Sequence, residues 1–256
     1  LPIKRKVNFV ITSPPYPNEK DYSRTTRLES VLLDYINNKE QLRFMKKQFI
    51  RSNTKNVYKE DDDFRYVENI DSISKLSQEI EEKRIELGKT SGFEKLYSRV
   101  VKLYFGGMAR HFIELKSILE KDARLAYVVG DQASYFNIPI RTAKLLAEIA
   151  ENVGYEVENI ELFRKRYATR TNTWLNEEVL ILKYLGDWFM ANIGKYNSII
   201  CCIFLERYEQ GKTSIVFARE EFLQKAYELG FDPPKNLGDR LWPFIFIETV
   251  VLGTLE

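Results

Sequence analysis

Apolar residues along the chain fall into short dense runs and longer periodic stretches, and their spacing predicts alternating strands and helices. Residues 7–11, VNFVI, form a β-rich apolar run. It is closed by Thr12-Ser13-Pro14-Pro15-Tyr16-Pro17, a string that continues neither a strand ladder nor a helix. A buried strand running into a rigid loop is predicted. From 28 to about 51 the pattern is helical: Leu28, Val31, Leu32, Tyr35 and Ile36 share one face, followed by Leu42, Phe44, Met45 and Phe49. Residues 52–71 are polar and carry Glu60-Asp61-Asp62-Asp63; a charged helix over 72–87 then ends near Gly88. The stretch 37–92 reads as an inserted, mostly helical, solvated lobe, and its acidic run as a solvated loop.

A long helical pattern follows over 93–119, with Leu96, Val100, Leu103, Met108, Phe112, Leu115 and Leu119 apolar and Gly106-Gly107 as a candidate kink. Residues 123–129, ARLAYVV, give the next buried strand, ending at Gly130-Asp131. An amphipathic helix over 140–153 turns Leu145, Leu146, Ile149 and Val153 inward and stops at Gly154. Strands over 155–163 and 178–184 flank a polar, basic loop. The order strand, helix, strand, helix, strand, strand predicts an α/β domain ending in a hairpin. A break near Gly186 divides a domain over 1–186 from a small helical C-terminal unit over 187–256, in which 187–206 and 219–229 are helical and 231–239 is turn-rich. No internal repeat is present.

At 256 residues the chain is long enough for one or two domains with a real core. Its 39 basic and 37 acidic residues leave a net charge of +2, so only local clusters can argue for nucleic acid. The single histidine, His111, sits beside core positions of the long helix and reads as structural. With so few ligands, a Cys/His zinc site and His-based nucleophilic chemistry are not expected. Cys201 and Cys202 are adjacent and cannot staple distant elements, which points to a reducing, cytoplasmic setting. Lys4-Arg5-Lys6 is not followed by a signal-peptide core. The apolar run over 241–252 carries Pro243 and Glu248 and falls well short of the ~20 residues that span a bilayer, so no membrane partner is expected.

In an open α/β sheet, ligands bind beyond the carboxyl ends of the strands, where residues 12–16 are placed. Consecutive prolines fix φ and remove N–H donors, so this loop offers carbonyl acceptors on a rigid frame. Such acceptors suit an amino group; Ser13 adds a hydroxyl and Tyr16 a flat face for stacking. Taken alone, Pro-Pro after a strand is also a simple turn. Asn18, Asp21 and Tyr22 are candidates to shape a base pocket, with loop capping the alternative for Asn18 and Asp21, and Gly130-Asp131 is either a ligand contact or a turn. Arg24 and Arg27 follow the loop closely. Arg164, Lys165, Arg166 and Arg170 cluster late in the chain, interleaved with Tyr167, Asn172 and Trp174. Such residues give salt-dependent phosphate contacts, or they form a solvated basic loop.

On the strand followed by Thr12-Ser13-Pro14-Pro15-Tyr16, the chain resembles the DNA amino-methyltransferases. These use S-adenosylmethionine to methylate the exocyclic amine of cytosine or adenine, and their catalytic motif is Asp/Asn/Ser-Pro-Pro-Tyr. The resemblance covers roughly 7–184, with 123–131 as a later core strand, 140–155 as the helix after it and 160–184 as the closing hairpin. It implies an α/β fold with a Rossmann-like methyltransferase sheet, whole or incomplete, carrying the helical insertion and the C-terminal unit. It also implies catalytic roles for Ser13, Pro14, Pro15 and Tyr16: Ser13 and the Pro14 carbonyl accept the amine hydrogens, while Tyr16 stacks on an extruded base. DNA contacts fall to Asn18, Arg24, Arg27, Arg164, Lys165, Arg166 and Arg170. The cofactor is S-adenosylmethionine, no metal is called for, and the partner is double-stranded DNA. The Ser form of the motif is commoner among cytosine enzymes without being confined to them, so N4 of cytosine and N6 of adenine both stand.

The family's Phe-x-Gly-x-Gly cofactor signature is missing. The nearest string, Tyr104-Phe105-Gly106-Gly107-Met108, lacks the spacing and lies in a helical pattern. Cofactor-binding residues are therefore unassigned, and the expectation is that a cofactor-binding half lies on an upstream segment or a separate chain. Two readings result: a DNA methyltransferase that is inactive without that half, and a catalytically incomplete methyltransferase-fold module that binds DNA within a restriction–modification assembly. Residues 216–222 through 234–239 weakly resemble the start of some restriction-endonuclease-like proteins, which implies a restriction–modification setting with a cognate endonuclease as a further partner.

Overall fold

In the computed structural model the opening apolar run forms β1 (Val7–Thr12), which pairs in parallel with β2 (Leu119–Gly130). The structure describes residues 6–169 and 171–186, together with Gln224, Lys225 and Glu228. The chain divides into two compact units, Leu1–Gly186 and Asp187–Glu256. Apart from those three helical positions, the C-terminal unit, its endonuclease-like segment and the cysteine pair lie outside the described residues.

Between β1 and β2 run α1 (Tyr22–Thr25), α2 (Arg27–Leu32), α3 (Lys39–Gln48), α4 (Asp71–Glu86) and α5 (Tyr97–Leu115). After β2 come α6 (Thr142–Asn152), β3 (Tyr155–Ala168) and β4 (Thr173–Tyr184). The sheet order is β1-β2-β4-β3, parallel between β1 and β2 and antiparallel elsewhere. The result is a mixed α/β fold compatible with a methyltransferase-like sheet. Alternation along β2 buries Leu125, Tyr127 and Val129, which join Leu180 and Leu182 of β4 in one core cluster with α5 and α6. α5 is the central helix, fully burying Val100, Leu103, Tyr104, Phe105, Met108 and Phe112. The Tyr155 hydroxyl donates to the Phe112 carbonyl at 2.8 Å, tying β3 to this helix.

Several sequence expectations are corrected. The single helix expected over 28–51 is split, because Asn38 caps a new helix by accepting the Gln41 N–H at 2.9 Å, and Asp34 before it turns left-handed at φ 63°. Leu28, Val31, Leu32 and Tyr35 are exposed and do not form an inward face. The insertion is not a solvated lobe: Val67, Ile70, Ile73, Leu76 and Ile80 belong to the same core as α5. Its acidic run is divided: Glu60 and Asp62 are exposed, while Asp61 and Asp63 turn inward. Asp61 takes both Arg51 Nε and Nη2 at 2.8 Å in a buried pair, and Asp63 pairs with Arg110 at 2.9 Å. Gly106-Gly107 does not break α5, which runs on to Leu115; a Cβ at Gly106 would lie 2.0 Å from the Asp63 carbonyl oxygen. The glycine serves close backbone approach. The expected basic loop is largely strand, with Arg164, Lys165 and Arg166 on β3 and Arg170 outside the described residues. Among the described residues no helix is long and apolar enough to cross a membrane.

Candidate active site

The Ser-Pro-Pro-Tyr-Pro loop leaves β1 at the end where β2 also finishes. Ser13 is exposed, Pro14, Pro15 and Tyr16 are half-buried, and Pro17 is buried. Three prolines leave the loop few backbone donors. Tyr16 N–H donates to the Tyr22 hydroxyl at 3.2 Å, and the Tyr16 carbonyl accepts from Asn18 N–H at 2.9 Å. Asn18 turns its side-chain oxygen back onto Lys20 N–H at 3.2 Å, a local loop cap.

A clamp from the insertion grips the next residues. Glu19 is left-handed at φ 62°; its N–H donates to the Ser52 carbonyl at 3.1 Å. Its carboxylate accepts the Thr54 N–H at 3.0 Å and the Thr54 hydroxyl at 2.8 Å. Burial raises the Glu19 pKa against the opposing pull of those hydrogen bonds. The Lys20 carbonyl accepts from Ser52 Oγ at 3.1 Å and Asn53 Nδ2 at 3.3 Å. Asp21 accepts from Ser23 Oγ at 2.6 Å, Lys46 Nζ at 2.9 Å and Asn56 Nδ2 at 3.3 Å. Burial opposes its ionisation, but the hydrogen bonds from Ser23, Lys46 and Asn56, with the Lys46 charge, outweigh burial and hold the carboxyl at about 2. The sequence reading missed Ser52, Asn53, Thr54 and Asn56. Their one signal was a polar run too short of charge to be an ordinary solvated surface, and nothing in its spacing tied it to a loop more than thirty residues earlier.

Gly130 forms the other wall. A Cβ there would meet Tyr16 Cε2 at 3.2 Å and Glu177 Cγ at 3.3 Å, so the bare glycine lets the ring and the carboxylate side chain close in. Gly130 and Glu177 are partners across the β2–β4 ladder. The largely buried Glu177 accepts from Arg164 Nε and lies 3.9 Å from Arg166 Nε. Asp131 is buried; one oxygen pairs with Arg141 at 2.5 Å, while Oδ1 has no hydrogen-bond partner among the described residues. The Gly130 carbonyl accepts the Thr142 hydroxyl at 2.8 Å, fixing the end of β2 against α6. The structure thus brings Tyr16, Glu177 and Arg164 to one place through Gly130. Arg24 is exposed on α1 and Arg27 is exposed on α2, while Lys165 is exposed on β3.

What this arrangement can do is present acceptors and an aromatic face. It does not provide a cofactor cradle among the described residues: Gly106 is packed on Asp63 inside α5, and the turns after β1 and β2 are the proline loop and Gly130-Asp131. The described residues therefore do not fit the methionine-binding part of S-adenosylmethionine. They also hold no group of three or more His, Cys, Asp or Glu placed for a metal ion. His111 Nε2 lies 2.8 Å from the Tyr127 hydroxyl, and burial lowers its pKa, as befits a core histidine.

No family model matches the chain. Over 160 residues it is 30% identical to the type II methyltransferase M.AvaI of Nostoc sp. (strain PCC 7120 / SAG 25.82 / UTEX 2576), and equally to the type II methyltransferase M.AvaI of Anabaena variabilis. The match takes in 59% of this chain and 31% of each relative, so the chain spans about a third of the length of the curated relatives it matches.

Proposed function

We propose that this chain carries the catalytic-motif half of a DNA amino-methyltransferase of a restriction–modification system, acting on N4 of cytosine or N6 of adenine. The observation that carries the proposal is a donor-poor, proline-fixed loop, held from α1 and the insertion, with the Tyr16 ring seated against Gly130. An exocyclic amine is a poor nucleophile because its lone pair is delocalised into the ring, and it is reachable only when the base leaves the stack. Ser13 Oγ and the Pro14 carbonyl accept the two amine hydrogens, drawing the nitrogen toward a tetrahedral shape with its lone pair directed outward. Tyr16 stacks on the extruded base. Positioning and fixed dipoles supply the acceleration, and the loop needs no reorganisation to do so.

In this reading S-adenosylmethionine would be the methyl donor, and residues other than the described ones would have to hold it. The open side of β1 favours such a neighbour: among the described residues β1 pairs only with β2, and Phe9 and Ile11 stand 53% and 69% exposed. The test is expression with the adjoining coding sequence in a host free of DNA methylation, followed by mass spectrometry of digested nucleosides. N4-methylcytosine or N6-methyladenine is expected, with at least a hundredfold loss for Tyr16→Ala. Absence of both nucleosides overturns the proposal.

A second reading, a DNA-binding module without catalysis, draws on the lack of a cofactor cradle among the described residues. Calorimetry with S-adenosylmethionine separates the two: binding by the assembled protein favours the enzyme, and salt-sensitive DNA binding without cofactor binding favours the module.

A further inference from the structure

β2 ends opposite Glu177, so the β3–β4 hairpin continues past the sheet as a two-stranded ribbon. Residues 163–176 include Arg164, Lys165, Arg166 and Arg170 and no carboxylate. Strand alternation gives this ribbon two faces. Arg164, Arg166, Leu175 and Glu177 share the face toward the motif loop, and Lys165, Tyr167, Trp174 and Asn176 share the other. Tyr167 and Trp174 are cross-strand partners, with ring centroids 5.2 Å apart at 62°. They remain 48% and 60% exposed. Counted along the strand, they stand three residues, roughly 10 Å, beyond the Arg164–Glu177 pair.

A cross-strand aromatic pair steadies a hairpin, yet that role does not call for two large rings left open to water on a ribbon whose charges are all positive. The apolar faces and the surrounding cations together match one kind of occupant, a base carried on a phosphate backbone. We infer that Tyr167 and Trp174 form a stacking platform for an unpaired nucleobase of DNA, with Lys165 beside them for the backbone. The inference rests on the DNA-acting reading of the site. Extruding a base for methylation leaves an unpaired partner and a gap in the stack, and a base unpaired in this way is the kind of occupant that two open rings among cations can take.

The test uses the full chain and two fluorescein-labelled probes of equal length and charge: a mixed-sequence single-stranded 20-mer and a base-free sugar–phosphate 20-mer. Anisotropy titrations at low salt should give about tenfold tighter binding to the base-bearing strand. The Tyr167→Leu/Trp174→Leu variant should lose this preference while keeping its affinity for the base-free strand, and Tyr167→Phe/Trp174→Phe should restore it. Lys165→Gln should weaken both probes equally. The inference is overturned if the wild type binds both strands alike or binds neither, or if the leucine variant keeps the preference. Methylated DNA in the host assay without a base preference would sink this inference alone; a base preference without methylated DNA would sink the proposed function and leave the platform standing.

Discussion

Replacing Gly130 by alanine tests the site without removing any proposed catalytic atom. The added methyl would sit 3.2 Å from Tyr16 Cε2, 3.3 Å from Glu177 Cγ and 3.5 Å from Gln132 Nε2. The first two are closer than ordinary contact, so each neighbour must give by a few tenths of an ångström. Glu177 is held by Arg164, and the Tyr16 backbone is held by Tyr22, which leaves the Tyr16 ring to swing. A misplacement of about 1 Å at a reacting centre costs on the order of a hundredfold. A few tenths of that, on a logarithmic scale, gives roughly a three- to tenfold loss of methyl transfer. Stability moves little, because alanine's lower unfolded-state entropy contributes about 0.5–1 kcal/mol and mild overpacking costs a similar amount. The melting temperature should therefore stay within about 4 °C of wild type. Initial rates of labelled methyl transfer, measured beside thermal melts of the same preparations, check both halves. An unchanged rate would show that the Tyr16 ring position is immaterial; a rate that falls only in step with a collapsing melting temperature would show that Gly130 is merely structural.

Gly106→Ala should be far more damaging, by about 3 kcal/mol or more, since its Cβ would meet backbone atoms of Asp63 at 2.0 and 2.5 Å and α5 must move off that segment. Urea unfolding decides it, and a variant as stable as wild type would refute the close-approach account. Asp21, held at about 2, contributes stability that is complete above its unfolded pKa near 4 and is lost as pH falls from about 4 toward 2. Its contribution is roughly 1–2 kcal/mol. Asp21→Asn should flatten that part of the stability–pH curve in urea titrations, and parallel curves for the two proteins would refute the assignment.

The strands and the motif loop were legible because their signals are local: a dense apolar run, then prolines that permit one outcome. The hairpin was legible in kind but not in length. Residues 164–168 run Arg-Lys-Arg-Tyr-Ala, three charges in a row with no alternating apolar face, so periodicity could not mark them as strand, whereas cross-strand pairing with 173–177 does. The insertion was misread for a different reason. Asp61 and Asp63 look like solvated charge until Arg51 and Arg110 are found beside them, and that pairing depends on tertiary placement. The same holds for Gly106, whose neighbour Asp63 lies more than forty residues earlier. Gly130 was noticed, but its closeness to Tyr16 depends on β1 and β2 ending together, which no single stretch of sequence encodes.

The loop's chemistry also explains why the insertion belongs to the site. A surface meant to accept hydrogen bonds from an amine must leave its carbonyls and hydroxyl free, and its prolines deprive it of donors with which to hold itself. Such a loop has to be fixed from outside. The Tyr22 hydroxyl takes the Tyr16 N–H, and the 52–56 segment takes Glu19, Lys20 and Asp21 in turn. That segment is itself fixed by Arg51, whose guanidinium is buried between Asp61 and the carbonyls of Lys46, Lys47 and Phe49. Two carboxylates of the acidic run, which in sequence looked hostile to DNA, are thus turned inside the protein, Asp61 as the counter-charge to Arg51 and Asp63 to Arg110. This leaves the carboxylate-free ribbon at 163–176 as a basic surface that a net charge of +2 conceals.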